Sequence, residues 1–152
     1  MKWLVTLVFL VLQLSAEEFK INSIMIEKNV TSQFDNTIDI SQQHHWIVSW
    51  DKETTRLAND YFTHYHDSLF KTIVLVDVSQ TPQGIMSLFV LPRMRTYHHQ
   101  NYLSYDENFN KMIPYMPNHV TLIEFKHKKI ISIHFFDTIK KLNNYFKGKC
   151  HE

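Results

Sequence analysis

The chain has 152 residues, with 16 Lys or Arg against 15 Asp or Glu, 44% apolar residues and a single cysteine. A chain of this length can bury a core without disulfides or metals, and its apolar content excludes disorder over most of its length. The near balance of charge leaves no basic excess for phosphates, which argues against nucleic acid as the main partner. We expect one globular domain.

The first 16 residues are predicted to form a secretory signal peptide. A lysine is followed by the apolar run Trp3 to Leu12, and Ser15-Ala16 provides a small-residue cleavage site. The run is short for a membrane span, so an uncleaved N-terminal anchor is the alternative, and it would be the protein's only link to a membrane. Both alternatives predict an exported protein, periplasmic or secreted, with a domain at 17–148 and a tail at 149–152.

The N-terminal third predicts a hairpin followed by a strand and a helix. Apolar residues alternate in segments at Ile24 and Ile26, Val30 to Phe34, and Ile38 and Ile40, with a turn at Asp35-Asn36. Trp46 to Trp50 then predicts a buried strand. Asp51 is expected to cap a helix that runs to about His66 and carries one broad apolar face.

The middle of the chain predicts the central strand of a parallel sheet. Ile73 to Val76 is an apolar run too short for a helix. Thr81 is expected to cap a helix that starts at Pro82, with a buried stripe of Ile85, Leu88 and Phe89. Pro92 is expected to end or kink this helix near Leu91, with a short continuation to Tyr97.

The C-terminal third predicts a short strand, an irregular turn, a hairpin and a helix. The strand is expected at Asn101 to Tyr105 and the irregular helical turn follows Asp106. Val120 to Phe125 should pair antiparallel with Ile130 to Phe135. The last helix is expected to be capped by Asp137, to bury Ile139, Leu142 and Phe146, and to end at Gly148 in a left-handed conformation.

Polar residues follow the two predicted parallel strands and should converge at their carboxyl ends, where ligands bind in open α/β sheets. The expected groove for a small anion or a partner's backbone comprises Asp51, Glu53, Thr54, Thr55, Asp77, Ser79, Gln80 and Thr81. The alternative is that these residues only cap helix ends.

Histidine and cysteine allow two weaker hypotheses. The ten histidines lack the i, i+4 spacing of a helical metal site, which leaves a site assembled from His64, His66 and His98 as the metal hypothesis. Cys150, near the C-terminus, is either an inert thiol or a partner in an intermolecular disulfide. Asn29 begins a glycosylation sequon, which matters only in a eukaryotic host.

The order hairpin, β-α-β-α, β, β-β, α resembles the thioredoxin-like fold of TlpA-type and peroxiredoxin-type proteins. WIVSWDKETTRLANDYF is similar to that family's active-site strand and helix, and HVTLIEFKHKKIISIHFFDTIKKLNNYF to its C-terminal hairpin and helix. The stretch VLVDVSQTPQGIMSLFVLPRM further resembles small exported thioredoxin-like proteins of Helicobacter and Campylobacter relatives. The resemblance implies an α/β/α sandwich of three layers around a mixed sheet, with an N-terminal hairpin extension.

The departures from this family decide the expected function. The turn that holds its CxxC motif reads DKETTRL, without the cysteine on which thiol chemistry depends. Pro117 lies near the place of the family's cis-proline and is assigned to the groove. No Gly-rich loop supports a flavin, and no cofactor is expected. We therefore expect a non-catalytic binding or accessory protein that acts on another envelope protein; the alternatives are redox chemistry through Cys150 and histidine-dependent metal binding.

Overall fold

The computed structural model of the chain describes residues 17–65 and 72–149. The predicted signal peptide, His66 and Cys150 therefore lie outside the described residues. The strands are β1 (Asn29–Ser32), β2 (Thr37–Asp39), β3 (His45–Ser49), β4 (Thr72–Asp77), β5 (Asn101–Ser104), β6 (Val120–Lys126) and β7 (Lys129–Phe136). The helices are α1 (Lys52–Tyr65), α2 (Gln83–Ile85), α3 (Leu91–Met94), α4 (Glu107–Asn110) and α5 (Ile139–Lys149), with a π-helical segment (Met86–Val90) that joins α2 to α3.

The seven strands form one mixed sheet in the order β2-β1-β5-β4-β3-β6-β7. β4 is its middle strand and runs parallel to both β3 and β5, as the apolar run at Ile73 to Val76 predicts. The hairpins β1-β2 and β6-β7 are antiparallel, which confirms both predicted hairpins. The first hairpin begins at Asn29, however, and Ile24 makes only an isolated antiparallel bridge with Lys129.

Helices cover one face of the sheet, and a thinner layer covers the other. On the first face, side chains of α1, of the 83–94 region and of α5 pack over Ile47 and Val74. On the second face, Phe109 of α4 and Phe19 of the N-terminal segment pack against Trp46, whose ring centroid lies 6.2 Å from that of Phe109. The arrangement confirms the predicted α/β class with three layers around a mixed sheet.

The helix at residues 83–94, which we call the composite helix, differs from its prediction in the face that it buries. Ile85, Leu88 and Phe89 are exposed, whereas Met86 and Met94 are buried. Met86 faces the core at the start of the π-helical segment, so Ile85 and Leu88, one residue before it and two after it, point away from the core; within the segment Leu91 N–H bonds to Met86 O, an i to i+5 spacing.

Two further features of the composite helix bear on its predicted ends. Pro92 is accommodated inside α3, so the chain does continue as a helix beyond Leu91, as far as Met94. Pro82 rather than Thr81 stands at the N-cap, and no side chain caps that end. The predicted capping by Thr81 is therefore wrong.

The C-terminal helix also departs from its prediction at both ends. Thr138 Oγ accepts the cap hydrogen bond from Lys141 N, while the Asp137 carboxylate is paired with the Lys141 ammonium instead. Gly148 has no positive φ and lies inside α5, which extends to Lys149, one residue beyond the predicted domain boundary. Leu142 and Phe146 are buried as predicted, with Ile139 partly buried beside them.

Candidate functional site

A groove of about 630 Å³ lies at the carboxyl ends of β3 and β4. It contains four of the residues that the sequence predicts for this place, namely Asp51, Asp77, Ser79 and Gln80. The remaining walls come from the N-terminal segment, from the residue that follows β3, and from α4 with the loop after it. These residues are Glu18, Trp50, Glu107, Asn110, Lys111, Ile113 and Tyr115.

Asp51 serves the helix end and the groove at once. Its carboxylate accepts hydrogen bonds of 2.8 Å from Thr54 N and 2.9 Å from Thr54 Oγ, and its own N–H donates to Thr54 Oγ at 3.0 Å. This reciprocal pair satisfies two of the free N–H groups at the start of α1. The same hydrogen bonds hold the side chain of Asp51, which lines the groove, in one orientation.

An aromatic wall stands beside Asp51. The ring of Trp50 meets that of Tyr115 at 83° with centroids 5.3 Å apart. Trp50 Nε1 donates to Thr121 Oγ at 3.2 Å, and Thr121 Oγ donates in turn to Pro114 O at 2.7 Å. The edge-to-face pair and the bonded indole hold this wall in one orientation.

Asp77 forms the floor of the groove, and its carboxylate is held by three donors. Oδ1 accepts from Ser79 N at 2.9 Å, from Ser79 Oγ at 2.6 Å and from Asn110 Nδ2 at 2.6 Å. Asn110 is 4% exposed; its amide also donates to Ser104 O, and its Oδ1 accepts from Ser104 Oγ. The floor is therefore a preorganised polar network that links β4, β5 and α4.

The groove is acidic. Its lining includes four carboxylates, on Glu18, Asp51, Asp77 and Glu107, against one ammonium on Lys111. Lys111 Nζ lies 2.5 Å from Glu107 Oε1, and this hydrogen bond lowers the pKa of the Glu107 carboxyl. The surplus of negative charge favours a cationic group over the small anion that the sequence suggests.

The other predicted groove residues lie elsewhere. Glu53 and Thr54 line a separate depression of about 290 Å³ between α1 and the start of α5. Thr55 is buried, with its hydroxyl 3.1 Å from Ser49 Oγ. Thr81 donates its N–H to Val78 O, and Pro117 is exposed, its carbonyl accepting from His119 Nδ1 at 2.8 Å. No cis peptide bond occurs in residues 17–65 and 72–149, Pro117 included.

Among the described residues, no arrangement of side chains supports the metal hypothesis or the redox hypothesis. His64 Nδ1 lies 2.7 Å from Asp60 O in its own helix, and His98 is exposed. His66 and Cys150 lie outside the described residues. Within the described part of the chain, no three His, Cys, Asp or Glu side chains are grouped so that they could hold a metal ion.

Several groove residues are not predictable from the local sequence pattern, because they come from segments distant along the chain. Glu18 belongs to the N-terminal segment, and Glu107, Asn110 and Lys111 belong to the predicted irregular turn. One signal was available for the turn: Asp106 followed by Phe109 is the spacing of an N-cap and its donor, and Phe109 N does bond to Asp106 Oδ1 at 3.0 Å. That cap orients α4 toward the groove.

Comparison with known proteins identifies the fold. No family model matches the sequence, and no curated protein matches it. Among solved structures, the thioredoxin domain of a thiol-disulfide oxidoreductase from Bacteroides vulgatus superposes with a TM-score of 0.53 at 11% identity, covering 84% of this chain and 99% of that one. A peroxiredoxin-like protein from Aquifex aeolicus gives 0.54 at 10% identity, covering 88% and 90%.

A third structure agrees with these two. An uncharacterized thioredoxin-like protein from Porphyromonas gingivalis gives a TM-score of 0.53 at 12% identity, covering 82% of this chain and 90% of that one. At such identities the likeness shows the fold alone. The fold is thioredoxin-like, as the resemblance implies.

Proposed function

We propose that this protein, whose fold is thioredoxin-like, is an exported, non-catalytic binding protein of the cell envelope that holds a basic segment of another protein in its acidic groove. The observation that carries the proposal is the groove itself. It lies at the carboxyl ends of β3 and β4, where open α/β sheets bind ligands, and it is walled by fixed aromatic and carboxylate side chains.

The groove lacks the groups that thiol chemistry needs. The only cysteine of the chain is Cys150, so none stands at the start of α1 beside Asp51. The hydroxyls of Ser79, which lines the groove, and of Thr54 beside it are committed to structural bonds: Ser79 Oγ donates to Asp77, and Thr54 Oγ bonds to Asp51. No histidine or cysteine is among the described residues that line it. These features support binding rather than turnover.

Export is supported by the first 16 residues of the sequence, with their charged start, apolar run and small-residue end. None of the helices in residues 17–65 and 72–149 combines the length and the apolar content that a bilayer crossing demands.

The test is a site-specific photo-crosslinking experiment in the native host. A photoreactive residue at Gln80, which lines the groove, should give a discrete crosslinked product, whereas the same residue at the exposed Gln42, outside the groove, should not. Charge reversal at Glu18 and Glu107 should abolish the Gln80 product. The matched control, Glu27→Lys, reverses an exposed carboxylate away from the groove and should leave it intact.

The same preparations distinguish the redox alternative. Wild-type protein and Cys150→Ser should show equal, background rates of disulfide reduction and peroxide consumption. A rate that depends on Cys150, or a Gln80 product that survives both charge reversals, would contradict the proposal.

A further inference from the structure

The composite helix exposes three large apolar side chains on neighbouring turns. Ile85 is 45% exposed, Leu88 70% and Phe89 65%, while Met86 and Met94 of the same helix are buried in the core. The neighbouring Gly84 is exposed and has no side chain to cover them. Clustered exposure of this kind marks an interaction surface, in contrast to scattered single apolar residues.

The stretch that contains this surface is cationic. No acidic residue occurs between Asp77 and Asp106, although the chain as a whole is nearly balanced. Arg93 lies four residues after Phe89 and is exposed. The side chain of Arg95 is 51% exposed and lies 3.6 Å from Asp35, an exposed pair that screens its charge only weakly.

We propose that this face docks on an anionic phospholipid surface. Ile85, Leu88 and Phe89 would sit at the boundary between headgroups and acyl chains, with Arg93 among the lipid phosphates. Peripheral helices combine an inserted apolar face with Lys or Arg beside it, and each basic residue near an anionic leaflet strengthens binding. None of these residues lines the groove, so the inference is independent of the proposed function.

A second copy of the chain fits this face less well. Three partly exposed side chains offer a few hundred Å² at most, whereas a stable protein interface buries roughly 800 Å² per partner. A membrane needs no such area, because each apolar side chain that enters it contributes separately. Charge complementarity also favours the anionic leaflet, since Arg93 would meet no carboxylate from this stretch on a second copy of the same face.

The test uses the full chain with an environment-sensitive fluorophore on a single cysteine in a Cys150→Ser background. At Leu88→Cys the probe should shift to the blue with phosphatidylglycerol vesicles, and much less with phosphatidylcholine vesicles. At Ile131→Cys on β7, where the native residue is 47% exposed, neither vesicle should shift it. Because the readout is local, association through the N-terminal apolar run does not imitate it.

Further substitutions in the protein that carries the probe at Leu88→Cys supply the magnitude. The probe at Leu88 should report at least a tenfold weaker partition after Ile85→Asp, and about fivefold weaker partition after Arg93→Gln. Ile131→Asp is the matched control for Ile85→Asp, since the two exposed fractions are nearly equal, and it should change nothing. Thermal melts confirm that each variant is folded.

Three results would overturn the inference. The first is a Leu88 probe that does not respond to phosphatidylglycerol vesicles. The second is an equal response at Ile131, which would indicate non-specific adsorption. The third is a dimer in light scattering that becomes a monomer after Leu88→Asp, because a second copy would then cover the face.

Discussion

Lys149 Nζ, on the last turn of α5, donates a 2.8 Å hydrogen bond to Oε2 of Glu124, a residue of β6 that is only 2% exposed. The same oxygen accepts from Tyr145 OH at 2.8 Å and from Ser132 Oγ, while Oε1 lies 3.2 Å from His45 Nε2. Donors from β3, β7 and α5 thus converge on one buried carboxylate. It ties the C-terminal helix to the sheet.

Replacing this carboxylate should weaken the whole domain. Glu124→Gln removes the charge that strengthens the bonds from Lys149, Tyr145 and Ser132, and hydrogen bonds to charged groups contribute about 1.5–3 kcal/mol each. We expect the free energy of unfolding to fall by about 2–3 kcal/mol in urea titrations. Glu53→Gln, which removes an exposed pair with Arg56, should change it by less than about 0.5 kcal/mol. Equal effects of the two variants would mean that the buried network is energetically neutral.

The same carboxylate predicts how stability depends on pH. Burial raises the pKa of Glu124, but hydrogen bonds from His45, Lys149, Ser132 and Tyr145 outweigh burial and hold it well below the ordinary value of 4.5. A carboxyl whose pKa is lower in the folded state stabilises the fold above its unfolded pKa, and this contribution is lost as pH falls toward the folded pKa.

The free energy of unfolding should therefore decrease from about pH 5 downward, where the unfolded carboxyl begins to bind protons. Asp39 adds to the decrease at lower pH: burial raises its pKa, but hydrogen bonds led by that of Ser41 lower it to about 2. Urea titrations between pH 3 and pH 7 should give a shallower slope for Glu124→Gln than for the wild type. Parallel slopes would contradict this assignment.

The cap of α1 should be measurable as a coupled pair. Asp51→Ala and Thr54→Ala each remove a side chain that bonds to a free backbone N–H of the other residue. Each should cost about 1 kcal/mol of stability. Because the two residues bond to each other, the double variant should cost less than the sum by at least about 0.5 kcal/mol. Strict additivity in the cycle would show that the two caps act independently.

The floor of the groove offers a sharper comparison. Asn110→Ala removes one of the three donors to Asp77, together with the buried bonds to Ser104, and should cost about 2 kcal/mol. Asn110→Asp should cost more at pH 7, because it places a second carboxylate beside Asp77, and the difference should shrink as the pH is lowered and the introduced carboxyl binds a proton. Asn108→Ala, at an exposed position of the same short helix, is the control. A difference between the two variants that is independent of pH would exclude the electrostatic cause.

The sequence was sufficient for those parts of the fold in which local pattern and tertiary environment agree. Ile73 to Val76 is uniformly apolar because both faces of β4 are covered, and the polar connection after Lys126 forms the β6-β7 turn, with positive φ at His127 and Lys128. Asp51 and Asp77 line the same groove for a similar reason. Residues that directly follow adjacent parallel strands lie at the same edge of the sheet whatever the rest of the chain does.

Prediction failed where tertiary contacts override the local pattern. Gly148 does not end α5. The helix continues to Lys149, because the ammonium group of that residue bonds to Glu124. Asp137 is not the cap, because Lys141 engages its carboxylate and Thr138 is available one residue later. Glu124 stands as a lone carboxylate in the apolar strand Val120 to Phe125, and such a residue indicates a buried network that the apolar pattern alone does not predict.

The π-helical segment Met86–Val90 determines how the composite helix would respond to an insertion or a deletion. Pro92 cannot donate to Leu88 O and would crowd it in a regular helix, and the i to i+5 bond just before it absorbs that conflict. Loss of one residue from the segment would restore regular spacing and rotate the preceding turn by about 100°. Ile85 and Met86 would then change direction relative to Met94. The number of residues in the segment therefore sets how the turn before it is oriented relative to the turn after it.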